Sequence, residues 1–136
     1  MKEYSSVSDR VVEYVLTRKI SELGSLTVEN IAVNLKINRS HLSRTFKTEK
    51  KFTIEEFVFK IKIIRAASML KENPEMTIKE IARKLGFSRC DYFIRIFKRD
   101  FGTTPAKYRD LIQHWLSLPH PQHEFMHVWL HAIMPD

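Results

Sequence analysis

One short pattern occurs twice in this chain, and the repeat limits the folds that the sequence can adopt. The two copies are IAVNLKINRSHLSRTFK at residues 31–47 and IARKLGFSRCDYFIRIFK at residues 81–98. Ile31 aligns with Ile81, fifty residues later, whereas Phe46 aligns with a residue fifty-one positions later. The second copy is therefore one residue longer in or just after its turn. Each copy has the form of a helix-turn-helix unit, in which a capped short helix and a turn precede a second amphipathic helix.

The whole chain is predicted to be α-helical. It contains only three glycines and five prolines, and no segment alternates between polar and apolar residues as a strand does. The predicted helices cover 8–22, Thr27 to Leu35, Asn38 to Lys50, 54–72, Thr77 to Lys84, Ser88 to Phe101, and one or two turns from Pro105. The expected N-terminal caps are Thr27, Asn38, Ser88 and the capping boxes of Thr53 with Glu56 and Thr77 with Glu80. Gly24 is expected to end the first helix.

Apolar residues at helical spacing predict the buried sides of these helices. On the first helix they are Val11, Val12, Val15, Leu16 and Ile20. On the longest helix they are Ile54, Phe57, Val58, Ile61, Ile64, Ala67 and Met69. In the two copies, the residues expected to face the core are Ile37, Leu42, Phe46, Phe87, Phe93 and Phe97. Ala32 and Ala82 predict a close crossing of two helices in each copy, because a larger side chain would force the helices apart.

Basic residues are concentrated in the two copies. The chain carries a net charge of +7. Residues 36–51 contain six basic side chains and one acidic side chain, and residues 83–99 have the same balance. A single basic run is usually no more than a solvated surface. Two runs at equivalent positions of a repeat favour a surface that binds nucleic acid.

The second helix of each copy carries an exposed stripe opposite its apolar side. The candidate DNA-binding residues are Arg39, Ser40, His41, Ser43, Arg44 and Lys47 in the first copy and Arg89, Cys90, Asp91, Ile94, Arg95 and Lys98 in the second. A helix-turn-helix unit places such a stripe in the major groove, where arginine contacts guanine and apolar atoms touch thymine methyl groups. Ile94 fits either a methyl contact or core packing. His41 either donates to a phosphate or has no such role, and Cys90 is either a small contact residue or a redox switch.

The helix between the two copies has a length that suits binding to two grooves. Residues 54–72, at about 1.5 Å per residue, span roughly 28 Å, and successive major grooves on one face of a duplex lie about 34 Å apart. A rigid spacer of this length predicts that the two units occupy adjacent major grooves. The chain would then contact two tandem elements without needing a palindrome.

The second copy and the residues after it, IARKLGFSRCDYFIRIFKRDFGTTPAKYR, closely resemble the signature of the AraC/XylS family of bacterial transcription regulators. The resemblance covers roughly residues 8–112. It implies an all-α, homeodomain-like domain of seven helices, with two helix-turn-helix subdomains joined by a long linker helix. It also implies a regulator that binds promoter DNA and activates RNA polymerase.

The same resemblance implies roles for particular residues. By motif position, the base-contacting residues are Ser40, Ser43 and Arg44 in the first unit and Cys90, Asp91, Ile94 and Arg95 in the second. Lys51 departs from the pattern, because the second copy has Gly102 at this position and the family usually has glycine. The helix before Lys51 therefore either ends differently or carries a strained residue. Lys62 stands where the linker helix usually has arginine, and arginine and lysine differ in bidentate pairing.

Several classes of protein are not expected. The sequence shows no paired carboxylates, Ser-His-Asp set or phosphate-binding loop, so we expect neither an enzyme nor a cofactor. With Cys90 as the single cysteine, no internal disulfide can form. No stretch approaches the roughly 18–20 apolar residues of a membrane span, and the N-terminus lacks the apolar run of a signal peptide. A cytoplasmic protein without a membrane partner is therefore expected.

The tail over residues 113–136 differs in kind from the rest. It contains five of the six histidines, of which His123, His127 and His131 are spaced to share one face of a helix. Three interpretations stay open. The tail is an accessory helix packed on the domain, a contact with a dimer or other partner, or a metal site for zinc, nickel or copper.

These observations divide the chain into a DNA-binding domain over 1–112 and the tail. Within the domain, the first helix-turn-helix covers about 27–50, the linker helix about 54–72 and the second helix-turn-helix about 77–101. The predicted function is sequence-specific transcriptional regulation, as an activator, on double-stranded promoter DNA. The alternative is a helical interaction module that docks a protein partner through the apolar tail. A dimer partner and an effector-sensing domain outside these residues are further candidate partners.

Overall fold

The computed structural model describes residues 6–118, and every regular element in this range is an α-helix. The eight helices are α1 Val7–Leu16, α2 Ile20–Leu23, α3 Val28–Leu35, α4 Arg39–Lys50, α5 Ile54–Glu72, α6 Ile78–Lys84, α7 Cys90–Phe101 and α8 Pro105–Leu116. No strand occurs among the described residues, and the predicted all-α fold is confirmed. The chain divides into two compact units, Met1–Lys62 and Ile63–Asp136, and each contains one of the repeats.

The first predicted helix, over 8–22, was wrong, because the structure has two helices there. Thr17 Oγ1 donates to the carbonyl of Glu13 at 2.8 Å, and Arg18 Nε donates to the carbonyl of Tyr14 at 2.9 Å. These side-chain bonds add to the backbone bonds of the last turn, in which the amide of Thr17 donates to the carbonyl of Glu13 and the amide of Arg18 donates to the carbonyl of Val15. The described residues therefore form eight helices instead of the expected seven.

In the first unit, α1 packs against α3 and α4. The fully buried apolar side chains there include Val11, Val15, Leu23, Ile31, Leu42 and Phe46. The buried hydroxyl of Ser8 donates to the carboxylate of Glu49, and Lys50 Nζ lies 3.3 Å from Asp9 Oδ1. Two polar contacts thus join the start of α1 to the last turn of α4, which keeps α4 in a set position on the core.

In the second unit, aromatic side chains hold α7 against α8. The Phe97 ring stacks on Phe101 with 4.5 Å between ring centroids, and it meets Tyr108 edge-on at 5.4 Å. Phe97 is fully buried, and its neighbours are almost so. Burial raises the pKa of the Tyr108 hydroxyl. The buried side of α7 is therefore anchored by rings, and its opposite side is left for solvent.

The turns of the two repeats have the same backbone hydrogen bonds. The amide of Ile37 donates to the carbonyl of Ala32 at 3.0 Å, and the amide of Phe87 donates to the carbonyl of Ala82 at 2.9 Å. This pattern is the helix C-terminal motif in which one residue adopts a left-handed backbone. Both alanines are buried, as their predicted position at a helix crossing requires.

The additional residue of the second repeat lies between its turn and α7. In the first repeat, Asn38 Oδ1 accepts a hydrogen bond from the amide of His41 at 3.2 Å and caps α4, as predicted. In the second repeat, Arg89 occupies the cap position, and its side chain makes no capping hydrogen bond among the described residues. The prediction that Ser88 caps α7 was wrong, because the inserted residue leaves Ser88 one position before the cap.

The linker helix α5 has the predicted bounds. The amide of Glu56 donates to Thr53 Oγ1 at 3.0 Å, and the amide of Thr53 donates to Glu56 Oε1 at 3.2 Å. These hydrogen bonds hold the pKa of Glu56 below its usual value. Ile64, which was expected to be buried, is exposed, and Ile63 is fully buried instead. Apolar residues occur all round this helix, so their spacing does not identify the buried sides.

One smaller expectation about the first unit was wrong, and another was met only in part. Leu16 was assigned to the core, but 48% of it is exposed, because α1 ends at this residue and the chain turns away. Gly24 follows α2 with a right-handed backbone (φ −60°), so it ends that helix without the left-handed conformation for which glycine is usually needed.

Two lysines of the first repeat have left-handed backbones where the second repeat has glycine. Lys36 has φ 58° and Lys51 has φ 72°, whereas Gly86 has φ 85° and Gly102 has φ 77°. A side chain at such a φ meets the following carbonyl oxygen, at a cost of roughly 1–2 kcal/mol. Of the two alternatives for Lys51, the structure therefore shows the strained residue.

We expect Lys36→Gly and Lys51→Gly each to raise the free energy of unfolding by about 0.5–1 kcal/mol, as measured by urea denaturation. The relief of strain exceeds the greater flexibility of glycine in the unfolded chain. The matched control is Gly102→Ala, which should destabilise the chain. A Cβ atom at Gly102 would meet no atom within 4 Å, so that cost arises from the backbone alone. A loss of stability in both lysine variants would contradict the prediction.

Candidate nucleic-acid interface

The outer side of α4 carries the six candidate residues of the first repeat. Arg39, Ser40, His41, Arg44 and Lys47 are exposed, and Ser43 is half-buried. Leu42 and Phe46 are fully buried on the opposite side and hold the helix on the core of the first unit. We refer to the six outward residues as the α4 face.

The α4 face is basic, and its charges remain in contact with water. Arg39 Nη1 lies 3.1 Å from Glu29 Oε1, and 58% and 66% of these two side chains are exposed. Such a pair contributes little to stability and exchanges readily for another anion. Lys47 Nζ lies 3.4 Å from the carbonyl of Lys51, at the strained end of the helix. The α4 face can therefore meet a polyanion without breaking a buried contact.

The outer side of α7 carries the six candidate residues of the second repeat. Arg89, Asp91, Arg95 and Lys98 are exposed, whereas Cys90 and Ile94 are half-buried. Phe93 and Phe97 are fully buried on the inner side. Ile94 is thus partly accessible and partly packed. This burial is intermediate between the two interpretations that the sequence left open, a methyl contact and core packing. We refer to the six residues as the α7 face.

Arg89 and Asp91 form a two-point contact at the start of the α7 face. Arg89 Nε donates to Asp91 Oδ1 at 3.2 Å, and Arg89 Nη2 donates to Asp91 Oδ2 at 2.6 Å. The hydrogen bond from the guanidinium holds the pKa of Asp91 below its usual value and raises the pKa of Arg89. Asp91 is therefore charged at neutral pH, and its negative charge lies directly beside a positive one.

Tyr92 contacts a candidate residue and was missed from the sequence. The Arg95 guanidinium carbon lies 5.2 Å from the centre of the Tyr92 ring, within the range of a cation–π contact. The tyrosine is 37% exposed. An aromatic residue three positions before an outward arginine on a helix is the signal that could have indicated this contact.

The remaining sequence predictions concern residues away from the two faces. Burial lowers the pKa of Lys62, at the position where arginine was the expected residue.

Among residues 6–118, no group of three or more His, Cys, Asp and Glu side chains is placed to hold a metal ion. His123, His127 and His131 lie outside the described residues. The part of the tail that is described continues α8, which ends at Leu116, beyond the boundary drawn at 112.

None of the described helices combines the length and the apolar character that crossing a bilayer requires.

Comparison with known proteins agrees with this arrangement. The family described as "Helix-turn-helix domain" matches residues 15–110. The chain is 34% identical over 114 residues to the Msm operon regulatory protein of Streptococcus mutans, covering 83% of this chain and 41% of that protein. It is 41% identical over 85 residues to the "Probable transcription factor PqrA" of Proteus vulgaris, covering 62% of this chain and 69% of that protein. The match thus spans less than half of the first of these relatives.

Solved structures show the same fold. The C-terminal domain of AraT, a response regulator from Geobacillus stearothermophilus, is 30% identical with a TM-score of 0.66, covering 81% of this chain and 88% of that one. The DNA-binding domain of AdpA, a global transcriptional factor solved with a target DNA, has a TM-score of 0.66 at 22% identity, covering 81% of this chain and 96% of that one. The second likeness concerns the fold alone.

The family match covers most of the chain, and the helices form the expected pair of helix-turn-helix units. The relatives named above are regulators and transcription factors, and the described residues hold a basic face on the second helix of each unit. The chain therefore belongs to the AraC/XylS family of transcription regulators and carries the DNA-binding domain of that family.

Proposed function

We propose that this chain binds double-stranded promoter DNA in a sequence-specific manner, with the α4 face and the α7 face in the major groove. The observation that carries the proposal is the matched arrangement of the two repeats. In each, the second helix buries its aromatic and aliphatic side and exposes a basic side. A helix-turn-helix unit uses this outward side of its second helix to contact base edges.

Different side chains of the two faces suit different parts of the duplex. Arg44 and Arg95 are exposed arginines in the middle of their helices, and arginine is the side chain that most often contacts guanine. Lys47 and Lys98 lie one turn further on and suit phosphate contacts. The smaller side chains of the faces, Ser40, Ser43, Cys90 and Ile94, suit close approach to bases, and His41 suits a phosphate. Arg39 lies at the start of the α4 face, and Arg89 and Asp91 lie at the start of the α7 face.

The linker helix supports binding to two grooves. It runs without a break over Ile54–Glu72, nineteen residues, which span roughly 28 Å at about 1.5 Å per residue. Successive major grooves on one side of a duplex lie about 34 Å apart. We therefore infer that the two units bind tandem elements about one helical turn apart.

The regulatory role extends the same proposal. We infer an activator that acts in the cytoplasm with RNA polymerase. The names of two relatives, which are operon regulatory proteins, support the regulation of transcription. The match covers 28% of the xylose operon regulatory protein of Haemophilus influenzae. We therefore include a dimer partner or an effector-sensing domain in the proposal, and we assign neither to the described helices. The division of the chain into a DNA-binding domain over 1–112 and a tail over 113–136 is likewise part of the proposal.

We expect Lys47→Ala and Lys98→Ala each to reduce the salt dependence of DNA binding. Each phosphate contact contributes about 0.9 to the slope of the logarithm of the binding constant against the logarithm of salt concentration. Each variant should therefore lower the magnitude of that slope by about one, with a similar loss of affinity on cognate and scrambled duplexes. Fluorescence anisotropy across a salt series measures both quantities.

Lys71→Ala is the matched control for the salt series. It removes the same charge from an exposed position in the last turn of α5, outside both faces. Its slope should equal that of the unmodified chain. If binding of the unmodified chain were insensitive to salt, the alternative of a protein-docking module would be favoured, because apolar docking releases few counterions.

A further inference from the structure

The contact between Arg89 and Asp91 uses only one edge of the guanidinium group. Arginine has five N–H donors, and the contact takes one from Nε and one from Nη2. One N–H of Nη1 and the second N–H of Nη2 point in parallel along the adjacent edge. Two parallel donors of this kind match the O6 and N7 acceptors of guanine in the major groove.

The pair is placed where a base can reach it. Arg89 is the cap residue of α7, and Asp91 lies in its first turn. Their side chains are 70% and 65% exposed. The N-terminal residues of the second helix are those that contact base edges in a helix-turn-helix unit. A guanidinium group already held at two points also loses less side-chain freedom on binding than an unrestrained one.

The start of the second helix is different in the first repeat. Asn38 occupies the position of Arg89, and its side chain is engaged in capping α4 through the amide of His41. The neighbouring Arg39 forms an ion pair with Glu29 of α3, with 3.1 Å between Arg39 Nη1 and Glu29 Oε1. The two-point contact within one turn is therefore a feature of the second repeat.

We propose that Arg89 contacts a guanine base of the bound DNA and that Asp91 is a positioning residue that holds the guanidinium group for this contact. Asp91 then acts through Arg89 and does not itself determine a base. The inference rests on the proposed function, since it assigns roles within the α7 face. It gives the second unit two base-contacting arginines, Arg89 and Arg95.

The test compares base preferences of the full 136-residue chain and its variants. A preferred duplex is selected from a random pool, each base pair is then replaced in turn, and affinities are measured by competition. Arg89→Ala should reduce the preference for one G·C pair by roughly 5- to 150-fold. Asp91→Asn keeps the size of the side chain and should reduce the preference at the same base pair by roughly fivefold or more. It should also bind scrambled DNA more tightly, because a negative charge has been removed.

Glu29→Gln is the matched control. It removes the acidic partner of Arg39, an arginine of the α4 face, so binding to scrambled DNA should also tighten. The preference at the base pair identified with Arg89→Ala should not change. A general loss of stability would weaken binding to all duplexes alike, so it cannot imitate a change confined to one base pair.

Three results would overturn the proposal. In the first, Asp91→Asn leaves the preference intact or alters it at a different base pair, and Asp91 then does not position Arg89. In the second, Arg89→Ala leaves all preferences unchanged while Arg95→Ala removes one, and the proposed function then stands without this inference. If the unmodified chain selects no sequence at all, the proposed function itself fails, and this inference fails with it.

Discussion

Replacement of Arg95 by alanine is expected to weaken binding to the preferred duplex by about 1–3 kcal/mol, or roughly 5- to 150-fold. Most of this loss should fall on discrimination at one base pair. Arg95 is exposed on the α7 face, and the Tyr92 ring lies under its guanidinium group at 5.2 Å. The ring restricts the side chain, so the guanidinium group needs less ordering when it meets a base. Arg44→Ala should have the same kind of effect in the first unit.

The measurement is the affinity ratio between the selected duplex and a scrambled duplex, taken at one salt concentration. Lys71→Ala removes the same charge outside both faces and should leave the ratio unchanged. If Arg95→Ala or Arg44→Ala kept the full ratio, that arginine would not be a base-contacting residue. A uniform loss on all duplexes would instead assign it to phosphate.

Replacement of Phe97 by alanine is expected to lower the free energy of unfolding of the second unit by about 3–5 kcal/mol. The side chain is fully buried. Its ring centroid lies 4.5 Å from that of Phe101, 5.4 Å from that of Tyr108 and 6.0 Å from that of Phe93. Removing the ring leaves a cavity among neighbours that are themselves large and rigid, so the site cannot close without moving α7.

Urea denaturation followed by circular dichroism measures this loss. Leu111→Ala is the control in the same unit, because Leu111 is 38% exposed on α8 and its truncation should change stability by no more than about 0.5 kcal/mol. Comparable effects of the two substitutions would contradict the assignment of Phe97 to the centre of the core. DNA binding should fail in Phe97→Ala under conditions in which the second unit is unfolded.

Helix bounds followed closely from local signals, and the errors have local causes. The start of α5 was predicted from the Thr53 capping box, which acts within one turn of helix. The break after α1 was missed, because no glycine or proline stands there and the side chains of Thr17 and Arg18, which donate to carbonyls of the last turn, are not a recognised end signal. The cap at Ser88 was misplaced by one residue, because the alignment of the copies did not locate the insertion.

The candidate faces were predictable to the extent that they depend on helical spacing. Side chains such as Arg44, Arg95 and Lys98 are exposed, as an outward stripe requires. Their partners were not predictable. The contacts of Arg95 with Tyr92 and of Arg89 with Asp91 depend on side-chain rotamers, and rotamers are set by the surrounding backbone and neighbours.

The sequence by itself determined the repeat, the helical class, the family and the outward position of the basic residues. These properties follow from periodicity and from caps, whose interactions extend over three or four residues. Only the tertiary structure decided that Lys36 and Lys51 adopt left-handed backbones, and that Ile63 rather than Ile64 is buried. Packing around the turns and around α5 imposes those choices, because burial of the core offsets a local strain that an isolated segment would not accept.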